Sequence, residues 1–334
     1  MASDRRKACV TGGSGYVAST LVKLLLERGF SVNTTVRNPD NEKKVLHLNE
    51  LKRLGDLKVF RADLTDDASF DAPIDGCEFV FHVATPINFA STNPEKDVIE
   101  PAVQGVLNVL GACKRSKSVK RVVFTSSAAA VCGNNLHGTG LVMDENNWTD
   151  VDHLVSEKPP SWGYSVSKTL AEKAAWKFAK ENGIDLVTVA PPYLAGSSII
   201  PEVPGSLHIA MAPVTGNVFL INNLKNMQIK SGFIGLTHVE DACRAHIFVA
   251  EKGSASGRYN CCNVNTSLPK FAEFLKKRYP HYNISTEFSD VPYEAKTIMS
   301  SEKLIREGFA FKYSLEDICD QSINVLKEKG ILQN

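Results

Sequence analysis

A β-branched run, a glycine turn and an amphipathic helix open this chain in that order, and the alternation recurs as far as residue 192. RKACVTGG reads as a strand ending in glycines, YVASTLVKLLLERG as a helix stopped by Gly29, and SVNTTVR as a second strand. A helix follows from about Asn41 to Leu54, ended by Gly55, and then the strand LKVFRADL. A short helical turn near 66–70 leads into CEFVFHVAT, whose nearly continuous apolar run marks a strand covered on both faces. Val98, Ala102, Val106 and Leu110 carry helical spacing through about 94–117. KRVVFTSS is the next strand, a long helix runs to Asn182-Gly183, and IDLVTVAPP is a strand again. Strands separated by helices need crossover connections, so they lie parallel. The expected architecture is α/β, a doubly wound parallel sheet with helices on both faces.

The second half reads differently. From Leu194 to Ser231 the chain is rich in Pro, Gly, Ser and Asn, and FIGLTHVEDACRAHIFVAEKG then offers a strand and a helix returning to the main sheet. The expected organisation is a nucleotide-binding unit of 1–193 with a returning segment at about 232–252. A smaller, C-terminal substrate unit of 194–231 and 253–334 would close over the sheet's carboxyl edge.

The 334 residues suffice for a sizeable core. Lys+Arg 38 against Asp+Glu 37 leaves a net charge of +1, so no global field points to nucleic acid or an anionic membrane. MASDRRKACVTGG lacks the apolar segment of a secretory signal, and no run approaches the ~20 apolar residues of a membrane span. The eight cysteines show no metal-ligand spacing, and none is needed as a disulfide in a chain this long. They are expected to be reduced and mostly core, in a cytoplasmic protein that is a monomer or weak homo-oligomer. No metal is expected. His82, His238 and His246 sit among apolar residues and read as structural.

The first turn carries Gly12-Gly13-Ser14-Gly15-Tyr16-Val17-Ala18 between strand and helix, the context of a dinucleotide fingerprint. Gly12 and Gly15 permit a tight turn and close backbone approach, Ala18 keeps the helix near the strand, and a diphosphate would rest on the helix N-terminus. At the tip of the second strand an NAD site usually presents a carboxylate to the ribose 2′-hydroxyl. Here the tip is Thr35-Val36-Arg37-Asn38, followed by Lys43 and Lys44. Arg37, with Lys44 near it, suits a 2′-phosphate and favours NADPH/NADP+, unless the two belong to an ordinary solvated loop. Asp63-Leu64 is placed for the adenine, although Asp63 also suits a helix cap. Val83-Ala84-Thr85 would line the cofactor's central part.

Tyr164 and Lys168 stand four apart at the start of the long helix, hence on one face. A cation near a phenol brings its pKa down toward the working range of an acid–base catalyst. Ser127, at the end of KRVVFTSS, offers a hydroxyl for the same substrate oxygen. By itself YxxxK also describes a solvated helix face.

TGGSGYVA, ADLTD, VFHVAT, FTSSA and YSVSK together resemble the extended short-chain dehydrogenase/reductase family, whose fold is of Rossmann type. The segments NTTVRNPDNEKK, FHVATPINFAS, SSAAAVCGNN, GTGLVMDENNWTD, SKTLAEKAAWKFAKENGIDL and THVEDACRAHIFVAEK look most like its plant flavonoid reductases. Among these the anthocyanidin reductases are nearer than the dihydroflavonol reductases, because Cys132 stands where the latter carry an asparagine that reads B-ring hydroxyls. Ser161-Trp162-Gly163-Tyr164-Ser165 departs from the NWYCY of cinnamoyl-CoA reductases. The loop His137-Gly138-Thr139-Gly140-Leu141 points the same way.

The resemblance implies Ser127, Tyr164 and Lys168 as the catalytic set and a flavonoid as small-molecule substrate. It implies conversion of an anthocyanidin to a 2,3-cis-flavan-3-ol at the expense of two NADPH. Ile87, Phe89, Cys132, Trp162 and Tyr193 are candidates for the substrate wall, each also suited to plain core. Pro191, Pro192, Tyr193 and Leu194 would flank the nicotinamide, where the second proline removes a backbone donor the family commonly keeps. A dihydroflavonol or other ketone reductase, or an NADP(H)-sensing regulator without turnover, are the competing expectations.

Overall fold

The structure, a computed structural model, describes residues 6–88, 91–134 and 140–333. The expected loop residues His137, Gly138 and Thr139, and the candidate Phe89, lie outside the described residues. The first strands are β1 (Lys7–Val10), β2 (Ser31–Val36), β3 (Leu57–Arg61), β4 (Phe79–His82), β5 (Arg121–Thr125) and β6 (Leu141–Met143). They are followed by β7 (Leu186–Ala190), β8 (Tyr193–Ala195), β9 (Ile234–His238), β10 (Gly257–Asn260), β11 (Val264–Thr266) and β12 (Thr297–Met299). Seven of them form one sheet in the order β3-β2-β1-β4-β5-β7-β10, every adjacent pair parallel. The strand order reverses between β1 and β4. This is the doubly wound sheet the alternation demands, with a switch point where ligands bind outside the carboxyl ends.

Period-two alternation divides the strands between two cores. Ala8 and Val10 of β1 pack with the Tyr16–Glu27 and Val239–Glu251 helices, while Cys9 faces the Glu100–Arg115 and Trp162–Asn182 helices. Val123 of β5 joins the first core, and Val122 and Phe124 join the second. The Trp162–Asn182 helix ends where glycine is expected, with Gly183 in the left-handed region at φ 65°.

One expectation is corrected. The strand of FIGLTH, β9, does not enter the main sheet: it pairs in parallel with β8 and antiparallel with β11. The helix after it does lie on the main sheet. The seventh strand is instead β10, from the stretch 253–334 that reads as separate. GRYN is too short and too polar to announce a buried strand; its Arg258 is tolerated because it is paired inside, as described below. A third core, with Leu207, Met211, Leu224, Leu236, Phe271 and Ile318 among its members, gathers residues from both later stretches. Among the described residues no helix is long and apolar enough to cross a membrane.

Arg121 ties the amino edge of the sheet to its cover. It is buried, pairs with Asp185 at 2.8 Å, and donates to the carbonyls of Val249 at 2.7 Å and Lys252 at 2.6 Å. Replacing it with alanine strands those carbonyls, and the Arg121→Ala protein is expected to lose about 2–3 kcal/mol in urea unfolding.

Candidate active site

The carboxyl ends of the main-sheet strands open into a cleft of about 1020 Å3. At one end lies the glycine turn. Gly12 has φ +77°, and a Cβ there would come within 3.1 Å of the Ala84 Cβ, so only glycine lets the turn close against the end of β4. Thr11, which the sequence reading passes over, makes that junction: its hydroxyl oxygen accepts from the amides of Val83 and Ala84, both at 3.0 Å, and lies 3.0 Å from His82 Nδ1. Gly15 begins the Tyr16–Glu27 helix with no side-chain cap and no acid in the first turn. Its amides are therefore left for something else. The Tyr16 hydroxyl, buried and without a hydrogen-bond partner, lies in the same wall.

These features fit a dinucleotide: a turn that a side chain would block, unclaimed amides, and a polar atom awaiting a partner. Ser14, Val17, Leu64 and Thr85 line this end as expected. Arg37 lines it too, exposed and in no direct salt bridge among the described residues. Asp63 does not cap the turn that follows, whose cap position is Asp66. Asp63 lines the cleft while its Oδ1 accepts from the Thr65 amide at 2.9 Å and hydroxyl at 2.7 Å. Those bonds, with the charge of Arg37, hold its carboxyl below the usual carboxylate range. Gly13 instead is buried against Thr34, and Lys44 stands on the exposed face of its helix away from the lining.

The middle of the cleft brings together the three expected catalytic side chains. Ser127 caps a short 3-10 turn, its Oγ accepting from the Ala129 amide at 3.1 Å, and hydrogen-bonds the Tyr164 phenol. Lys168 is almost wholly buried. Its Nζ donates to the Thr125 carbonyl at 2.7 Å and lies over the Phe124 ring at 4.8 Å. The electrostatics differ from expectation. Burial pushes the Tyr164 phenol up, the Ser127 bond offsets part of this, and the ammonium is engaged elsewhere. Lys168 itself is pushed down to about 8 by burial, against the pull of Glu172. The phenol thus keeps its proton at neutral pH.

Pro191, Pro192, Tyr193 and Leu194 line the same region, and the Pro191 carbonyl accepts from the Ala128 amide at 2.8 Å. Beyond them the wall turns apolar, with Ile87, Cys132, Val203, Ile209, Met227 and Phe233. The last four come from well past Tyr164, between Val203 and Phe233, with no motif to mark them. Trp162 is a correction: it is absent from the lining and packs with Ile99, Leu154 and Val166. Its neighbour Gly163 explains why. A Cβ at Gly163 would fall 2.4 Å from the Pro94 Cβ, so the helix start is pressed against that segment and Trp162 turns inward. Trp162→Ala is accordingly expected to destabilise the fold by about 3–5 kcal/mol in denaturant unfolding, as a core deletion does.

Comparison with known proteins agrees with this geometry. Residues 8–262 match the NAD dependent epimerase/dehydratase family. An anthocyanidin reductase ((2S)-flavan-3-ol-forming) of Vitis vinifera is 64% identical over 330 residues, covering 99% of this chain and 98% of that protein. The anthocyanidin reductase of Arabidopsis thaliana is 56% identical, with 98% and 96% covered. Among solved structures, vestitone reductase from alfalfa superposes with a TM-score of 0.83 at 39% identity, covering 98% of this chain and 99% of that one. Gre2 from Candida albicans, solved in complex with NADPH, gives 0.81 at 25% identity, with 97% and 99% covered. The chain belongs to the NAD dependent epimerase/dehydratase family and, within it, to the group of the anthocyanidin reductases.

Proposed function

We propose that this chain reduces anthocyanidins to flavan-3-ols of the 2,3-cis type, with NADPH as reductant. The observation that carries the reading is the cleft itself. One continuous cavity joins the glycine turn and Arg37, through Ser127, Tyr164 and Lys168, to an apolar wall suited to a planar aromatic ligand. The relatives' activity and the cofactor of the Gre2 complex point the same way.

Conversion of a flavylium cation to a flavan-3-ol takes two hydrides and one proton; NADPH supplies hydride when bound. The chain's own part is to hold and to protonate. The glycine turn and Arg37 would hold the diphosphate and 2′-phosphate. Tyr164, kept protonated by burial and oriented by Ser127, would be the proton source in the middle of the cleft. Lys168, fixed by the Thr125 carbonyl, presents its remaining donors beneath the same wall. Cys132 gives the far wall a small apolar surface, its thiol pushed up by burial and so kept neutral. Residues 1–193 would carry the cofactor and the later stretches most of the substrate wall. Reduced, buried cysteines suit the cytosol.

Incubation with NADPH and either cyanidin or dihydroquercetin tests the reading. Flavan-3-ol from cyanidin is expected; leucoanthocyanidin from dihydroquercetin as sole product would overturn it in favour of a dihydroflavonol reductase. Tyr164→Phe should leave NADPH binding near normal and reduce turnover about 100-fold or more. Arg37→Ala should weaken NADPH more than about tenfold while hardly touching NADH, the loss of a charge-assisted contact; titration of each cofactor by fluorescence reads the difference.

A further inference from the structure

One turn after Lys168 on the same helix, Glu172 is completely buried, a costly place for a carboxylate. Its oxygens are crowded with donors. Oε1 accepts from Thr188 Oγ1 at 2.6 Å and from Arg258 Nε at 2.9 Å. Oε2 accepts from Ser126 Oγ at 2.5 Å and Arg258 at 3.2 Å. Arg258 is itself buried, stacked at 3.7 Å on Trp148, and donates to the carbonyls of Glu145 and Asn147. So one carboxylate joins the helix of Tyr164 and Lys168, Ser126 just past the end of β5, and the edge strand β10.

The surroundings of Lys168 are otherwise poor in negative charge. Tyr164 on its own helix is protonated. From β4 the ring of His82 stacks on Phe124 at 5.4 Å, and from the Val239–Glu251 helix His246 meets the Thr125 hydroxyl at 2.8 Å. Burial and the lysine's own charge push these histidines to about 3 and about 4, so both are neutral in the working range. Among the groups acting on Lys168, Glu172 is the one that favours its charged form.

We propose that Glu172 is a positioning residue for the reaction: its carboxylate keeps Lys168 charged within the buried wall and, through Ser126, sets the strand end that presents Ser127. The inference rests on the reading of Ser127, Tyr164 and Lys168 as the catalytic group, and not on which flavonoid is reduced. A purely structural Glu172 would act through the groups it accepts from, Arg258, Thr188, Ser126 and Trp176, and would leave the charge of Lys168 unmoved, so the two roles separate by charge.

The test follows Lys168 directly, by 13Cε NMR of lysine-labelled, cofactor-free protein, its signal assigned by loss in Lys168→Arg. With the carboxylate removed, burial is no longer opposed and the amine loses its proton at lower pH. Glu172→Gln should therefore lower the midpoint by about one unit or more, the usual size of an opposite-charge effect. The alkaline limb of kcat should move down with it, with kcat affected more than KM. Glu172→Asp, which keeps the charge, should hold the midpoint near that of the native protein even where turnover falls. Arg258→Gln leaves the carboxylate less neutralised and should not lower it. An unchanged midpoint in Glu172→Gln, or an equal drop in Arg258→Gln, would overturn the proposal. If Glu172→Gln does not fold, because Arg258 is left unpaired, the double variant Glu172→Gln/Arg258→Gln restores a neutral pair and must show a midpoint below that of Arg258→Gln; equal midpoints would overturn the proposal. Because the NMR readout needs no substrate, its failure is distinguishable from absence of anthocyanidin turnover.

Discussion

Seven strands running one way put every carboxyl end of the main sheet on one edge, and the rest of the molecule is arranged around that fact. Parallel pairing forbids short hairpins, so helices must cross over both faces and the loops must converge above the edge. The strand order reverses between β1 and β4. There the two chain directions diverge and leave a crevice, and the Thr11 hydroxyl sits at its floor, tying both strand ends together. The topology by itself brings the glycine turn, the serine and the tyrosine to one edge.

This explains which parts of the site are legible in the sequence. Gly12, Ser127, Tyr164 and Lys168 are tied to strand ends or to a helix start, and strand ends in a parallel sheet are neighbours by construction. Residues held by tertiary contact are not announced in the same way. Trp162 has the composition of a pocket wall, yet the press of Pro94 against Gly163 turns it into core. Met227 and Phe233 line the cleft without any local pattern. β10 escapes notice because the burial of its Arg258 depends on partners distant in the chain, Glu172 86 residues earlier and the Glu145 and Asn147 carbonyls beyond it.

The protonation of the wall also depends on burial rather than on sequence spacing. The i,i+4 pairing of Tyr164 and Lys168 suggests a phenol made acidic by its neighbour. Burial pushes both groups toward their neutral forms, and the lysine spends a donor on the Thr125 carbonyl. The buried histidines stay neutral and leave the balance to Glu172. Function at this site is thus a matter of which charges a dry environment tolerates.

The late arrival of β10 has a consequence for how the molecule is made. The chain emerges from its amino end, and the first six main-sheet strands with their crossover helices are complete once β7 has been synthesised. Glu172 is by then in place, but its guanidinium partner lies 68 residues beyond the end of β7. Until Arg258 docks, a carboxylate sits at the heart of a nascent core with two hydroxyls and the Trp176 indole to satisfy it, and no cation. A sheet edge meanwhile stays open beside β7, a hazard of slow, long-range pairing. The wall around Tyr164 and Lys168 is therefore the last part of the main sheet to set, and a nascent chain halted before residue 258 holds a nearly finished sheet with no finished cleft.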